Sequence, residues 1–107
     1  MIIQITQVAT PPAPSFAGAL TATGTTQATA YQLTAAANVV TVVAAGSGVM
    51  LPPSGPARVL NRSANSLLVY PAVGQAIENN GLNAPVLIAP DGAARFDFDG
   101  VSTWWVS

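Results

Sequence analysis

The ionisable side chains of this 107-residue chain are few, and the usual catalytic bases are missing. The sequence has no histidine, cysteine or lysine, which leaves three arginines and four carboxylates. Imidazole, thiolate and amine groups supply most of the general bases and activated nucleophiles in enzymes. A pair of carboxylates that cleaves a glycosidic bond is the one common catalytic arrangement still open.

Asp97 and Asp99 are the candidates for such a pair, because they are two residues apart in a strongly alternating segment. On a strand this spacing places both carboxylates on one face, about 7 Å apart. Arg95 lies on the same face, and alternating charges of this kind are typical of an ordinary solvated strand. We therefore expect that the protein is not an enzyme.

The patterns of common ligand sites are also missing. The aspartates do not form the D-x-D-x-D-G loop of a calcium site, and Gly46-Ser47-Gly48 is not followed by the lysine and helix of a phosphate-binding loop. Three arginines against four acidic residues give no basic stripe for a nucleic-acid backbone. We therefore expect no cofactor, no metal ion and no nucleic-acid partner.

Charge is scarce and unevenly distributed along the chain. Half of the residues are hydrophobic and 7% are charged, whereas about a quarter of the residues in a typical soluble domain are charged. Every charged side chain lies at or after Arg58, so the first half carries only its terminal amine. Burial against other protein chains suits such a surface better than exposure to water. The composition therefore predicts permanent protein partners.

The most apolar window, residues 35–51, is interrupted by polar residues and glycines and is short for a bilayer span. The N-terminus lacks the basic region and the continuous apolar region of a signal peptide. We interpret the window as buried strands and expect no membrane partner.

Residues 1–18 are predicted to form an extended N-terminal arm. Ile2, Ile3 and Ile5 occur in a loosely alternating stretch that is typical of a short strand added to a sheet edge. A proline-rich stretch follows, and its fixed φ angles and missing N–H donors favour an extended spacer. In a solvated tail the three isoleucines would expose apolar surface to water. We therefore expect the arm to bind another chain.

Residues 19–107 are predicted to form one β-domain. Short runs of β-branched and aromatic residues alternate with turn-forming residues at intervals of about 8 to 12 residues. We expect strands near residues 27–33, 38–43, 49–51, 58–60, 67–70, 75–78, 85–89, 94–99 and 102–106. Short strands in this number, without a convincing helix, are typical of an antiparallel β-sandwich or a jelly-roll-like domain.

The segment 57–70 is predicted to be a hairpin, because two β-forming runs flank a cluster of Asn, Arg and Ser residues that favour turns. Both faces of this segment are partly apolar, although Arg58 and Arg62 share one face with Leu60. Leu60, Leu68 and Tyr70 form the face left over when the other face joins the core. We expect this second apolar face to be covered by the neutral first half or by a neighbouring subunit.

Trp104 and Trp105 point to opposite sides of the last predicted strand. One of them is expected in the core, and the other either at a subunit interface, which we favour, or as a stacking platform for a sugar. Phe16 and Tyr31, in the neutral half, have the same two interpretations, with packing favoured.

Eleven positions from Val59 onwards follow one recurring pattern of scaffold residues. The pattern is a strand with Val and Asn, a short polar turn, an L-x-V-Y-P segment, a glycine, an Ala-Ile pair, a strand with Phe and a terminal Trp. It is matched by Val59, Asn61, Leu67, Val69, Tyr70, Pro71, Gly74, Ala76, Ile77, Phe96 and Trp104 or Trp105. On these residues the chain resembles a β-module of tailed-bacteriophage virion proteins, over roughly residues 20–107. The resemblance implies a structural role in the virion and a homotrimer.

Modules of this kind occur in capsid decoration proteins and in head or tail fibres. We predict a capsid decoration (cement) protein that binds the outer surface of a phage head as a homotrimer and stabilises it, with the major capsid protein or other virion proteins as partners. A head-fibre, tail-fibre or spike component and a carbohydrate-binding module remain the alternatives. The residues predicted at the capsid or subunit interface are Ile2, Ile3, Ile5, Phe16, Tyr31, Leu60, Leu68, Tyr70, Trp104 and Trp105.

Overall fold

The structure, a computed structural model, describes residues 15–107 and confirms the all-β prediction for them. Apart from one short 3₁₀-helix, Gln27–Thr29, every regular element of these residues is a strand. The strands are β1 Phe16–Thr21, β2 Tyr31–Gln32, β3 Ala37–Val42, β4 Gly48–Met50, β5 Ala57–Asn61, β6 Leu67–Tyr70, β7 Ala76–Ile77, β8 Val86–Ile88, β9 Ala93–Phe98 and β10 Thr103–Val106.

The strands form two sheets with an apolar core made of residues from both. One sheet has six strands in the order β1-β3-β5-β9-β10-β7, and the other has four in the order β2-β4-β6-β8. The chain passes from one sheet to the other at every connection from β1 to β9. A two-layered β-sandwich of this kind needs strands that bury one face against the opposite sheet.

The prediction of antiparallel sheets is wrong, because both sheets are mixed. Strands β1, β3 and β5 run parallel to one another in the first sheet, and β2, β4 and β6 do so in the second. From β1 to β6 each coil of the chain therefore contributes one strand to each sheet. Successive coils stack, so that their strands lie side by side and parallel. Strands β8 and β9 then pair antiparallel with β6 and β5. Parallel neighbours need a crossover connection, and here the strand in the opposite sheet supplies it.

The predicted hairpin is also wrong, although both of its strands exist. Strand β5 belongs to the six-stranded sheet and β6 to the four-stranded sheet, so residues 62–66 cross the layer as an arch. Asn61 is fully buried at the start of this arch. Its Nδ2 donates to the carbonyl oxygens of Asn65, at 2.8 Å, and Ile88, at 3.0 Å, while its Oδ1 accepts from the backbone N–H of Ser63. These bonds hold the arch against the core and leave no buried polar atom of Asn61 unpaired.

The predicted strand at residues 27–33 is reduced to β2. Thr26 and Thr29 bond to each other locally, with the Thr26 N–H donating to the Thr29 hydroxyl at 3.2 Å. Such local bonds offer the backbone an alternative to a sheet ladder, and residues 27–29 form a 3₁₀ turn instead. The turn lies over the four-stranded sheet, where the Gln27 side-chain amide donates to the Pro71 carbonyl oxygen at 2.8 Å.

Trp104 is the member of the tryptophan pair that belongs to the core, with no exposed surface. Its ring packs against Phe98 with 5.0 Å between centroids, and its Nε1 donates to the Gln75 Oε1 at 2.7 Å. A Cβ at Gly55 would lie 2.5 Å from the Trp104 ring, so this position requires glycine. The indole thus ties together the six-stranded sheet and two loops.

Strand β1 begins within the stretch predicted as an arm. Phe16 and Ala17 pair with β3, and Ser15 accepts hydrogen bonds from the N–H groups of Ala36 and Ala37. The loosely alternating stretch predicted to form a short strand, with Ile2, Ile3 and Ile5, lies outside the described residues.

Candidate interaction surfaces

The two aspartates considered for chemistry both have structural contacts. Asp97 Oδ1 lies 3.2 Å from Arg95 Nε, and both side chains are about half exposed. Asp99 Oδ1 accepts the backbone N–H groups of Val101, Ser102 and Thr103 at 2.8 to 3.2 Å. These backbone hydrogen bonds hold the pKa of Asp99 below its ordinary value. Among residues 15–107, no group of three or more metal-ligating side chains is placed to hold a metal ion.

None of the helical structure within the described residues is long and apolar enough to cross a membrane. Each of the two sheets has an outer surface that faces away from the shared core. On each strand, residues that point into the core alternate with residues that point away from it. The buried residues fix which side chains belong to each outer face.

The arginine face is the outer face of the six-stranded sheet. Val59, Phe96 and Trp104 are fully buried, so their strand neighbours point outward. The outward residues of this face are Phe16, Ala37, Val39, Arg58, Leu60, Ala93, Arg95, Asp97 and Trp105. Arg62 follows β5 on the same side. All three cationic side chains of the chain thus lie on one face.

The two largest exposed groups of the arginine face stand near its opposite edges. Phe16 on β1 is 69% exposed and Trp105 on β10 is 51% exposed. Four strand spacings separate β1 from β10, which corresponds to about 19 Å. Aromatic residues and arginine are the residue types enriched at the centres of protein interfaces. Trp105, not Trp104, is also the tryptophan that a sugar could reach.

The neutral face is the outer face of the four-stranded sheet, and its strands contain no charged residue. Its outward residues are Gln32, Gly48, Met50, Leu68, Tyr70 and Leu87. Leu87 is 65% exposed, while Met50 and Leu68 are partly buried. Leu68 and Leu87 are direct partners in the ladder of β6 and β8, so they form one apolar patch.

Tyr70 is covered by the chain itself and not by a partner. Only 6% of its surface is exposed, and its hydroxyl donates to the Thr25 carbonyl oxygen at 3.3 Å. Its ring also lies against Gly48, where an added Cβ would meet Tyr70 Cε2 at 3.0 Å. The neutral first half of the chain thus covers part of this face, as the sequence suggested.

The ten predicted interface residues fall into five groups. Phe16, Leu60 and Trp105 lie on the arginine face, and Leu68 lies on the neutral face. Tyr70 and Trp104 are buried and contribute to the fold, whereas Ile2, Ile3 and Ile5 lie outside the described residues. Tyr31, 38% exposed, occupies the edge strand β2, at the same end of the sandwich as β1.

The expected second apolar face of segment 57–70 is therefore two separate surfaces. Leu60 and Leu68 lie on opposite sides of the molecule, because β5 and β6 belong to different sheets. Sequence reasoning also missed Leu87 and the juxtaposition of Arg58 with Arg95. The uninterrupted apolar run of β8 was the available signal for Leu87, since a strand with one solvated face alternates.

Comparisons with protein families, with curated proteins and with solved structures found no match for this chain.

Proposed function

We propose that this chain is a structural virion protein, a capsid decoration protein that forms a homotrimer on the outer surface of a phage head. The observation that carries the proposal is the neutral face, whose strands hold no charged residue and expose Leu87 beside Leu68. Together with the resemblance of residues 20–107 to phage virion modules, this face suits a protein whose function is permanent assembly.

The neutral face supports contact with another subunit on energetic grounds. Burial of apolar surface is favourable by about 25 cal/mol per Å² before the costs of association. A charged group buried in the same contact would lose its hydration and oppose association. No such group lies on β2, β4, β6 or β8.

The N-terminal arm, residues 1–18, supplies the proposed contact with the major capsid protein. Its isoleucines are apolar anchors without accompanying charge. A decoration protein acts by burying area that spans several capsid subunits, and no reaction is required of it. Phe16 lies in the last part of the predicted arm, at the start of β1, and is 69% exposed on the edge strand of the six-stranded sheet.

Two measurements test the proposal. Light scattering should give a mass about three times the 10.8 kDa of one chain, and the protein should bind expanded phage heads. Deletion of residues 1–14 should abolish head binding while the circular dichroism spectrum of the β-fold is kept. The cut is placed before Ser15 because its carbonyl and hydroxyl oxygens bond to Ala37 and Ala36. A monomer that does not bind heads would refute the proposal.

A head-fibre, tail-fibre or spike component is the second candidate, and the stacked parallel strands favour it. Strands β1 to β6 wind as successive coils, an arrangement that extends naturally along one axis. The number of copies per virion separates the two candidates. Hundreds of copies indicate decoration of the head, and tens indicate a fibre.

A further inference from the structure

Arg58 and Arg95 face each other directly across the antiparallel pair β5 and β9. Side chains at such positions have Cβ atoms about 5 Å apart, and like charges there destabilise a sheet. Asp97 contacts Arg95, whereas the Arg58 guanidinium makes no hydrogen bond or ion pair within residues 15–107. Asp97 thus neutralises Arg95 alone, and the neighbouring Arg58 guanidinium has no partner among these residues.

The third arginine of this face behaves differently. Arg62 Nη1 donates to the carbonyl oxygen of Asp91 at 2.9 Å. That contact fastens the start of the arch to the turn between β8 and β9. Arg62 and Arg95 therefore have one partner each, whereas Arg58 has none among residues 15–107, and only Arg58 and Arg95 are direct neighbours among the three cationic side chains.

Two shallow hollows flank the pair, and both arginines line both of them. The first, of about 310 Å³, is bordered by small residues such as Ala93 and by Ser107. The second, of about 200 Å³, is bordered by Pro56 and neighbouring alanines. The small surrounding side chains leave space for acceptor groups beside the guanidinium planes.

We propose that Arg58 and Arg95 bind the carboxylates of an extended acidic segment of a partner protein. Guanidinium groups bind carboxylates through paired, charge-assisted hydrogen bonds, and a carboxylate between the two arginines would relieve their mutual repulsion. The half-buried Leu60 and the exposed Trp105 on the same face offer apolar contacts, which suit a protein segment better than a free anion. Asp97 beside the pair opposes a nucleic-acid backbone, which needs more cations than this face carries.

Binding of a fluorescein-labelled peptide of alternating aspartate and alanine, measured by fluorescence anisotropy at low ionic strength, tests the inference. The full-length protein should prefer this peptide to the matched asparagine peptide and to inorganic sulfate. Arg58→Gln and Arg95→Gln should each weaken binding about tenfold, through loss of charge-assisted hydrogen bonds. Arg62→Gln is the matched control on the same face and should change affinity by less than about twofold, because Arg62 lies beyond β5, away from the Arg58–Arg95 pair, and bonds to the Asp91 carbonyl oxygen.

A second measurement separates a binding role from a structural one. Arg58→Gln removes a like-charge contact, so its thermal unfolding midpoint should equal or exceed that of the wild type while peptide affinity falls. Equal affinity for the aspartate and asparagine peptides, or equal losses in all three variants, would overturn the inference. A drop in oligomer mass caused by Arg58→Gln would also overturn it, since the occupant would then be a second copy. The peptide assay reads binding by the isolated protein, so it is informative whether or not the protein binds phage heads.

Discussion

The outer faces of the two sheets expose different kinds of side chain. The arginine face carries the three arginines and Asp97, which are four of the seven charged side chains in the chain. The neutral face carries none on its strands and exposes Leu87 beside Leu68. Charged side chains are scarce in this chain, but the fold places most of them on one side of the molecule. The two faces therefore suit two different kinds of contact.

Salt should act on these contacts in opposite directions. Apolar association through the neutral face is strengthened by excluded salts such as sulfate. Contact through exposed arginines is screened, because the Debye length is only about 8 Å at physiological ionic strength. A protein that assembles through one face and binds an acidic partner through the other would keep its oligomer while releasing that partner as salt rises.

Trp104 belongs to the core between the two sheets, so its replacement by alanine tests the packing on which both outer faces depend. This substitution should have the largest effect. The variant would lose a fully buried indole that packs on Phe98 and would leave the Gln75 acceptor unpaired. Large-to-small changes of this kind cost about 3–5 kcal/mol of unfolding free energy. Trp105→Ala, on the exposed side, should cost less than about 1 kcal/mol. Urea denaturation of both variants checks this, and equal losses would show that the two indoles are not divided between core and surface.

Leu87→Asp tests the neutral face alone. A carboxylate at the centre of an apolar contact must be desolvated, so self-association should weaken about 100-fold or more, equivalent to roughly 3 kcal/mol. Because Leu87 is 65% exposed in the single chain, the thermal midpoint of the dissociated protein should barely change. Leu82→Asp is the matched control, since Leu82 is 68% exposed but lies in a loop. Light scattering over a concentration series measures the effect, and an unchanged mass for Leu87→Asp would exclude this face as the subunit contact.

The sequence located most strands of the described residues but not their partners. Runs of β-branched and aromatic residues predicted β3, β5, β6, β9 and β10 near their observed positions. The Asn- and Ser-rich stretch after Asn61 favours any tight reversal, and such residues form arches as readily as hairpins. What separates the two is the buried Asn61 amide, which bonds to carbonyls of a strand 27 residues away. Tertiary contact determines which carbonyl groups the Asn61 amide meets. No local sequence pattern therefore predicts them.

Only some residues of the candidate surfaces could be predicted from the sequence. Phe16 and Trp105 were identified as interface candidates from residue type, and both are exposed. The sequence could not assign the two tryptophans, because alternation is symmetric and the choice depends on Gly55 and Gln75 approaching one side. The Arg58–Arg95 juxtaposition depends on the register of β5 with β9. The two arginines are 37 positions apart in the sequence (95 − 58 = 37).

Arg58→Glu tests the arginine face and should have a smaller effect. The substitution converts the like-charge pair with Arg95 into an opposite-charge pair on the arginine face. Cross-strand pairs of this kind change stability by about 0.2–1 kcal/mol, so the variant should be slightly more stable than the wild type at low salt. Added salt should remove the gain by screening. Urea denaturation at two ionic strengths measures both effects, and a variant less stable than the wild type at low salt would contradict the repulsion assigned to the pair.

Asp99→Asn tests whether the location of a charge matters or only its existence, and we expect it to have the smallest effect. Asp99 lies in the turn between β9 and β10 and accepts three backbone N–H groups. Because these bonds lower its pKa in the folded protein, its charged form adds stability above the unfolded pKa of about 3.9, and that stability is lost as the pH falls through the folded pKa. The variant should therefore be slightly less stable than the wild type at neutral pH and converge with it in acid, as measured by thermal unfolding across pH. Oligomer mass and aspartate-peptide affinity should stay unchanged, because the lost charge belongs to a turn. A change in either would mean that net charge, and not the arrangement of charge on one face, governs how this protein associates.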